Sequence, residues 1–376
     1  MTDWELLLKP TLRSVGAYEP GESLDELMAR HGLTEIAKLN WNEGLWGPLP
    51  GVEQAVTDAL DQVWAYPEHA FNALREAIAA HTPARPEQVL PGHGIQALIM
   101  TLVGAFVRPD DTVVVPTPTY GLYAQASRVA GATVEAVPSP GLRLDLEAVA
   151  AAVRRTDARI AWICDPNNPT GSAVGEAEWR LFLDALPPGC VVAADEAYAD
   201  YIEPGRRFRR EDDVAAGRPV VVLRTFSKIF GLAGLRLGYA LAAADLVPYL
   251  QAVQEPFNVN RPALVAGAAS LGRPADVDER RRATAAARDH LAAGLRAADL
   301  EPLPSEANFL LVEHGAGDDA LADLLLRRGV LVRPGSELGL PGWARITVGP
   351  RPLMDRVLEA LPAVLEELSP ARARAR

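Results

Sequence analysis

The chain has 376 residues, of which 49% are apolar and 23% charged, a composition typical of folded globular proteins. This length predicts two or three domains rather than one small binding module. The 37 basic and 49 acidic residues give a formal net charge of −12, which argues against nucleic acid or an anionic membrane as the main partner.

The sequence lacks the marks of export and of several common catalytic sites. It begins without the basic and apolar pattern of a signal peptide, and no apolar run approaches the length of a membrane span. Cys164 and Cys190 lie far apart in apolar runs, which is typical of a protein from the reducing cytoplasm. No lysine follows a glycine, and neither His-Glu-x-x-His nor Cys-x-x-Cys occurs, so we predict no Walker-type phosphate loop and no metal site.

Short β-branched runs alternate with longer amphipathic stretches from about residue 86 to 245. This alternation predicts an α/β domain whose mostly parallel sheet lies between helices. The predicted strands are Gln88–Leu90, Thr112–Val115, Thr133–Val137, Arg159–Ile163, Val191–Ala194, Val220–Arg224 and Leu237–Leu241.

The chain after about residue 256 has a different pattern. Helices are predicted near 261–271, 278–298, 318–328 and 351–367, and they enclose two or three strands, including Phe309–Val312 and Ala344–Val348. We therefore expect a large domain over 41–255 and a smaller α+β domain over 256–370. Residues 1–40 are expected to form an arm that packs on the small domain or a second subunit, and 371–376 a frayed tail.

Glycines precede the first predicted helix of the sheet domain. Gly92, His93 and Gly94 follow a strand, so the free amides at the helix N-terminus would suit a phosphate. The segment also fits the G-x-G-x-x-A pattern of dinucleotide sites. Asp110 and Asp111 precede the next strand instead of ending it, which argues against a nicotinamide cofactor and leaves a plain tight turn as the alternative.

Two further polar segments follow predicted strands. Residues 165–171 place an Asn pair between two prolines, which predicts a rigid turn that presents a side-chain amide. Asp195 directly follows the apolar run 191–194, so a carboxylate leaves a buried strand. Either pattern alone is also consistent with an ordinary turn or a helix cap.

Lys228 follows another predicted strand and has hydroxyl neighbours at Thr225 and Ser227. The lysines of the chain are only Lys9, Lys38 and Lys228, and the other 34 of the 37 basic residues are arginines. Because arginine cannot replace lysine as a nucleophilic amine, a lysine in this apolar region indicates covalent chemistry rather than a surface charge.

These four segments lie at the carboxyl ends of predicted strands, where open parallel sheets bind their ligands. Together they supply a phosphate cradle, an amide, a carboxylate and an amine. This set suits pyridoxal phosphate, because the amine can bond to the cofactor's aldehyde and the carboxylate can keep its ring nitrogen protonated.

With these motifs the chain resembles the class I and II aminotransferases of the type I pyridoxal-phosphate fold, and among them most closely the histidinol-phosphate aminotransferases. The matching segments cover nearly the whole chain: Tyr18–Gly21, Lys38–Glu43, Tyr66–Pro67, Pro118–Gly121, Asn167–Gly171, Asp195–Tyr198, Ser227–Lys228, Gly234–Gly238, Asn258–Asn260 and Arg345–Gly349.

The resemblance implies catalytic roles for Lys228, Asp195 and Tyr198. Lys228 would carry the cofactor and later move a proton, Asp195 would pair with the ring nitrogen, and Tyr120 would stack on the ring. Tyr198 and Asn168 would hydrogen-bond the 3-oxygen of the ring. The phosphate would contact the turn formed by Gly92, His93 and Gly94, the hydroxyls of Thr225 and Ser227, the guanidinium of Arg236, and Tyr66 from a second subunit.

The resemblance also implies a homodimer with shared active sites, a cytoplasmic location and small-molecule substrates. Amino transfer from histidinol phosphate to 2-oxoglutarate, a step of histidine biosynthesis, is the first expectation. The implied substrate contacts are Tyr18, Asn42, Arg333 and Arg345. Two guanidinium groups suit one carboxylate or phosphate of the substrate.

Three departures from the family pattern keep the substrate open. Trp41 and Trp46 put two indoles near the predicted substrate entrance, Gln96 stands where the cradle usually carries an acid, and Phe257 stands where tyrosine is frequent. A lyase that decarboxylates threonine phosphate and an aromatic amino-acid aminotransferase are therefore alternatives. A non-catalytic effector-sensing domain of a transcription regulator is disfavoured by the net charge of −12.

Overall fold

The computed structural model describes residues 4, 7–16, 22–315 and 319–375, so Tyr18 lies outside the described residues. The strands, in chain order, are β1 (Ala37–Leu39), β2 (Val89–Gly92), β3 (Thr112–Thr117), β4 (Thr133–Pro138), β5 (Ile160–Cys164), β6 (Val191–Asp195), β7 (Val220–Thr225), β8 (Gly238–Leu241), β9 (Phe309–Glu313), β10 (Val330–Pro334) and β11 (Trp343–Thr347).

The α-helices are α1 (Leu24–His31), α2 (Val52–Ala59), α3 (Asn72–His81), α4 (Gly94–Phe106), α5 (Leu122–Ala130), α6 (Leu146–Thr156), α7 (Glu176–Asp184), α8 (Glu211–Ala215), α9 (Val247–Val253), α10 (Arg261–Leu271), α11 (Pro274–Ala297), α12 (Ala320–Leu326) and α13 (Arg351–Ala375). No helix of the described residues is both long and apolar enough to cross a bilayer.

The large sheet has seven strands in the order β2-β8-β7-β6-β5-β3-β4. Only β8 runs against its neighbours, so the sheet is mostly parallel and the predicted α/β fold class is confirmed. Each of the seven predicted strands is present, with ends within two residues of the prediction. The β5 run Ile160–Cys164 is buried throughout, because helices cover both faces of a parallel sheet.

This parallel order positions the site. The carboxyl ends of β5, β6 and β7 lie side by side, so residues 165–171, 195–198 and 225–228 leave the sheet at the same edge. Strand β2 runs in the same direction as β7, since both are antiparallel to β8 between them. The N-terminus of α4, which follows β2 directly, therefore lies at the same edge.

The small sheet has four strands in the order β1-β10-β11-β9. Its β9 and β11 match the two strands predicted there, whereas β10 and the three-residue β1 were not predicted. One face of the sheet packs on the helices through a core that includes Leu39, Val332, Ile346, Leu295 and Val357. Because side chains alternate along a strand, Lys38, Arg333 and Arg345 belong to the other face.

The last helix, α13, continues through residues 371–375, which the sequence analysis assigned to a frayed tail. Alanine and arginine are both good helix formers, and they make up most of this segment.

Candidate active site

Lys228 lies in the turn after β7, with its amine against the loop that follows β1. Its Nζ donates hydrogen bonds to the carbonyl of Asn42 at 2.8 Å and to that of Trp41 at 3.2 Å. Because burial disfavours the charged amine and Arg345 adds positive charge nearby, the pKa of Lys228 falls to about 7. A substantial fraction of the amine is therefore uncharged at neutral pH, the form that attacks a carbonyl carbon.

Asp195 ends β6 and is 3% exposed. The Tyr123 hydroxyl donates to its Oδ2 at 2.6 Å, and the Ala197 amide donates to its Oδ1 at 2.9 Å. Burial raises the pKa of Asp195 to about 6, although both hydrogen bonds favour the carboxylate. The charge of the buried Asp195 side chain therefore depends on the hydrogen bonds that it accepts.

Tyr198 follows Asp195 by three residues and is held by the loop after β1. Asn42 Nδ2 donates to the Tyr198 hydroxyl at 3.1 Å, while the Thr347 hydroxyl donates to Asn42 Oδ1 at 3.2 Å. Asn42 is 1% exposed and has a left-handed backbone with φ 55°, a conformation that asparagine tolerates. The resemblance implied that Asn42 contacts substrate, and the structure places its amide on Tyr198 and Thr347.

Arg345 links the small sheet to the large one. It donates to Oδ1 of Asn168 and, at 2.8 Å, to the carbonyl of Asn40. The guanidinium is 5% exposed, and no carboxylate pairs with it among the described residues. Burial lowers the pKa of Arg345 to about 10, and the nearby charge of Arg333 acts in the same direction.

Arg333 stands directly opposite Arg345 in the antiparallel pair of β10 and β11. Its guanidinium forms an ion pair with Glu337 at 2.6 Å. Two like charges opposed on neighbouring strands destabilise a sheet. An anion bound beside Arg345 would offset that repulsion through charge-assisted hydrogen bonds.

A phosphate-sized cradle lies at the N-terminus of α4. Gly94 has φ +73°, and a Cβ on it would lie 2.8 Å from Nη2 of Arg236, so only glycine allows this close approach. Arg236 Nη2 donates to Gln96 Oε1 at 3.1 Å, and the Ser227 amide donates to the Thr225 hydroxyl at 3.0 Å. Free helix amides, a guanidinium and two hydroxyls thus gather in one place, which suits a phosphate group.

Gln96 connects the cradle to Tyr120. Its Nε2 donates to the Tyr120 hydroxyl at 2.9 Å, and its Oε1 accepts from Arg236. The family's usual acid at this position is absent, but the amide still contacts the arginine through a neutral hydrogen bond.

Tyr66 and His93 line an open groove of about 780 Å³. The Tyr66 ring stacks on Phe257 with centroids 4.7 Å apart and is 80% exposed, and Trp64 beside it is 86% exposed. Exposed aromatic side chains around one groove are typical of a surface that another protein covers.

The two indoles do not lie together, which corrects the expectation that both flank the substrate entrance. Trp41 is beside Lys228, is 42% exposed and has the Lys38 amine 3.9 Å from its ring centroid. Trp46 instead packs against the small-sheet core near His290 and Pro350. Trp46 lies inside a turn in which the Gly47 amide donates to the Gly44 carbonyl at 3.0 Å, whereas Trp41 precedes this turn, so the two indoles lie on different parts of the loop.

Three side chains hold the predicted site residues in ways that the sequence did not indicate: Tyr123 was not singled out, Gln96 was noted only as a departure from the family pattern, and Asn42 was expected to contact the substrate. Tyr123 contacts Asp195, Gln96 bridges Arg236 and Tyr120, and Asn42 contacts Tyr198. Their partners are 24 to 156 positions away along the chain, so no local pattern shows the pairing. The one available signal was the spacing of Tyr120 and Tyr123, two aromatic residues three positions apart at the start of α5.

Comparison with known proteins gives a consistent result. The family model described as "Aminotransferase class I and II" matches residues 34–361. The histidinol-phosphate aminotransferase of Moorella thermoacetica is 37% identical over 95% of this chain and 92% of its own length. That of Symbiobacterium thermophilum is 38% identical over 96% of this chain and 99% of its own.

Solved structures extend the comparison to the fold. The histidinol-phosphate aminotransferase of Sinorhizobium meliloti, in complex with pyridoxal-5'-phosphate, superposes with a TM-score of 0.88. That match has 29% sequence identity and covers 96% of this chain and 98% of the other.

Proposed function

The chain belongs to the aminotransferase class I and II family, and on that premise we propose that it transfers the amino group of histidinol phosphate to 2-oxoglutarate, using pyridoxal phosphate. The observation that carries the proposal is that Lys228, Asp195 and the Arg236 cradle lie at one sheet edge. Arg345 lies beside them, and no carboxylate of the described residues pairs with it.

The site fits this cofactor. Because Gly94 has no Cβ, the Arg236 guanidinium can lie close to the amides at the N-terminus of α4. The buried carboxyl group of Asp195 and the Lys228 amine, whose pKa is about 7, are the other two groups that the cofactor needs. When bound, pyridoxal phosphate supplies an aldehyde that accepts an amino group and a cationic ring that withdraws electrons from the substrate.

Each site residue then has a defined task. Lys228 would hold the cofactor through Nζ, and its amine would be the base that removes a proton from the substrate Cα. Asp195 would keep a proton on the ring nitrogen, and Tyr198 and Asn168 would donate hydrogen bonds to the ring 3-oxygen. Tyr120 covers the ring face.

Further groups would bind two anions, the phosphate of the cofactor and the phosphate or carboxylate of the substrate. The phosphate of the cofactor would be bound by Arg236, by the hydroxyls of Thr225 and Ser227, and by the backbone of Gly92–Gly94. Arg345 and Arg333 bind the phosphate of histidinol phosphate in one half-reaction and a carboxylate of glutamate in the other, since planar guanidinium donors match both groups. We assign Tyr18 and Asn42 to the same substrate site.

A single-turnover experiment tests the substrate. The holoenzyme is mixed in turn with histidinol phosphate, phenylalanine and threonine phosphate, while cofactor absorbance and carbon dioxide release are followed. Rapid conversion to the pyridoxamine form with histidinol phosphate alone supports the proposal. Conversion with phenylalanine instead indicates an aromatic aminotransferase, and carbon dioxide from threonine phosphate without pyridoxamine indicates a lyase.

The proposal includes a cytoplasmic homodimer in which Tyr66 reaches the phosphate of the partner subunit. The exposed aromatic groove beside His93 supports this arrangement, and the two buried free thiols suit a reducing compartment. Mixing the inactive Lys228→Ala and Tyr66→Ala variants tests it, since a mixed dimer contains one intact shared site. Recovered activity supports shared sites, and no recovery in a verified mixed dimer contradicts them.

A further inference from the structure

Tyr123 is a fully buried phenol whose only hydrogen bond to an acidic side chain of the described residues goes to Asp195. Its ring is 0% exposed and stacks on Trp162, with centroids 5.0 Å apart and planes 10° apart. The Tyr120 ring packs edge-on against it at 5.5 Å. These contacts fix the hydroxyl at 2.6 Å from Asp195 Oδ2.

We propose that Tyr123 is a positioning residue that keeps Asp195 ionised and thereby keeps the proton on the ring nitrogen of the cofactor. The inference rests on the proposed function and assigns a task to a residue outside the predicted site.

The ring nitrogen and the Asp195 carboxylate are two bases that compete for one proton. In a pair of ring nitrogen and carboxyl group, the proton stays on the nitrogen only while the carboxylate is the weaker base. Donation by a phenol stabilises the carboxylate and weakens it as a base. Loss of the phenolic O–H would therefore move the proton from the nitrogen toward Asp195, and the ring would withdraw electrons less strongly.

The other groups around Asp195 do not replace this donor. Cys164 and Tyr198 are buried and uncharged at neutral pH, because burial raises the pKa of both. Glu196 repels the carboxylate charge, whereas Lys228 attracts it only while the amine is charged. The Ala197 amide is then the remaining hydrogen-bond donor among the described residues, and it contacts the other oxygen. Tyr123 itself stays protonated, since its pKa is raised well above the ordinary value.

The test measures the protonation of the cofactor directly. Holoenzyme is prepared with pyridoxal phosphate labelled with nitrogen-15 in the ring, and the nitrogen chemical shift is recorded from pH 6 to 9 in wild type, Tyr123→Phe and Asp195→Asn. We expect a protonated nitrogen in wild type and an unprotonated one in Asp195→Asn. Tyr123→Phe should lower the midpoint of nitrogen deprotonation by about one pH unit, the effect of one hydrogen bond to a carboxylate.

Tyr201→Phe is the matched control, because Tyr201 is also a buried tyrosine at 3% exposure and makes no hydrogen bond to Asp195. The pH dependence of the ring-nitrogen chemical shift in Tyr201→Phe should match that in wild type. If Tyr123→Phe does not fold, a 3,5-difluorotyrosine placed at position 123 keeps the ring and strengthens the donor, and it should raise the midpoint instead.

The outcomes separate the two proposals. A wild-type and Tyr123→Phe titration that coincide, while Asp195→Asn differs, would overturn the role of Tyr123 and leave the proposed function intact. A wild-type protein that binds no cofactor, or whose nitrogen does not respond to Asp195→Asn, would overturn the proposed function and this inference with it.

Discussion

Asp195, to which we assign a role at the cofactor ring, is a source of instability when the cofactor is absent. Its carboxyl group is 3% exposed, and burial raises its pKa to about 6 from an unfolded value of about 3.9. The folded protein therefore retains a proton there between about pH 4 and 6 that the unfolded chain releases. The free energy of unfolding of the apoenzyme accordingly falls as pH rises through this window.

Asp195→Asn should remove that fall. Two pKa units correspond to about 3 kcal/mol. As pH rises from 4 to 7, the free energy of unfolding of the variant apoenzyme should therefore increase relative to that of wild type by an amount of this order. Urea unfolding at several pH values measures the difference. The control Asp184→Asn alters a carboxylate that is 61% exposed and should track wild type. Parallel curves for wild type and Asp195→Asn would show that burial does not penalise this charge.

Sequence reasoning placed Lys228 and Asp195 at the edge of the sheet, but it did not indicate which side chains hold the predicted site residues. Lys228 and Asp195 follow apolar strands in the sequence, so the strand pattern predicted that they share one edge, whereas Arg236 was expected there only from the family resemblance. Tyr123 and Asn42 act through contacts between distant parts of the chain, and their neighbours in the sequence give no sign of those contacts.

Among the elements, the loop after β1 is held on the turn that carries Lys228 by a glycine contact. A Cβ on Gly44 would lie 2.2 Å from the carbonyl oxygen of Lys228 and 2.9 Å from Cα of Gly231. The same loop supplies the Trp41 and Asn42 carbonyls to the lysine amine. The small sheet, through β1, is thereby fixed against the reacting amine.

Gly44→Ala should push this loop away from Lys228 and disturb the contact between Asn42 and Tyr198. We expect cofactor affinity and turnover to fall at least about tenfold, a loss of about 1.4 kcal/mol. Gly205→Ala is the control, since its added Cβ would meet nothing within 4 Å. Cofactor titration of the apoenzyme and a thermal melt measure the effect, and equal affinity in both variants would refute the role of the close contact.

A buried ion network ties β5, β6 and α8 together beneath the site. Arg210 donates to Glu196 at 2.8 Å and to Asp165, and its guanidinium lies over the Trp179 ring at 4.3 Å. Although burial favours its protonated form, Arg224 and Arg210 lower the pKa of Glu196 to about 2. Glu196 therefore contributes stability above an unfolded pKa of about 4.3, and loses it as pH falls toward 2.

Arg210→Met should destabilise the protein by about 3–5 kcal/mol, because it leaves two buried carboxylates without their shared partner. Arg218→Met removes a surface ion pair to Asp184, and we expect less than about 1 kcal/mol there. Denaturant unfolding at pH 7 compares the two variants. Similar small losses in both would mean that the buried carboxylates find other partners.

Element prediction succeeded where the signal was long enough. The apolar runs of β5, β6 and β7 and the glycine before α4 located the edge that carries the site. Strand β1 was missed because three residues show little periodicity, and β10 was missed because only its first three residues are apolar before Arg333 and Pro334. Their pairing also joins positions 37–39 to 330–332, which no local pattern shows. The position of Trp46 was also predicted wrongly, because it depends on the turn in which the Gly47 amide donates to the Gly44 carbonyl.

At the scale of the whole molecule, the site exists only where the two sheets meet. The large sheet provides Lys228, Asp195 and the cradle, while the small sheet provides Arg345, which donates to Asn168 across the boundary. The alternation of strands and helices, followed by a change of pattern after residue 256, predicted both sheets. The meeting of Arg345 with Asn168 was not predictable from either pattern, because it depends on how the sheets pack.

The chain's three lysines allow the central claim, that Lys228 carries the cofactor, to be tested in one measurement. The apoenzyme is reconstituted with pyridoxal phosphate, treated with borohydride to fix an amine-bound cofactor, digested and analysed by mass spectrometry. We predict one cofactor per chain, on the peptide that contains Lys228, with Lys9 and Lys38 unmodified. A cofactor fixed on Lys38, or on no lysine, would contradict the account.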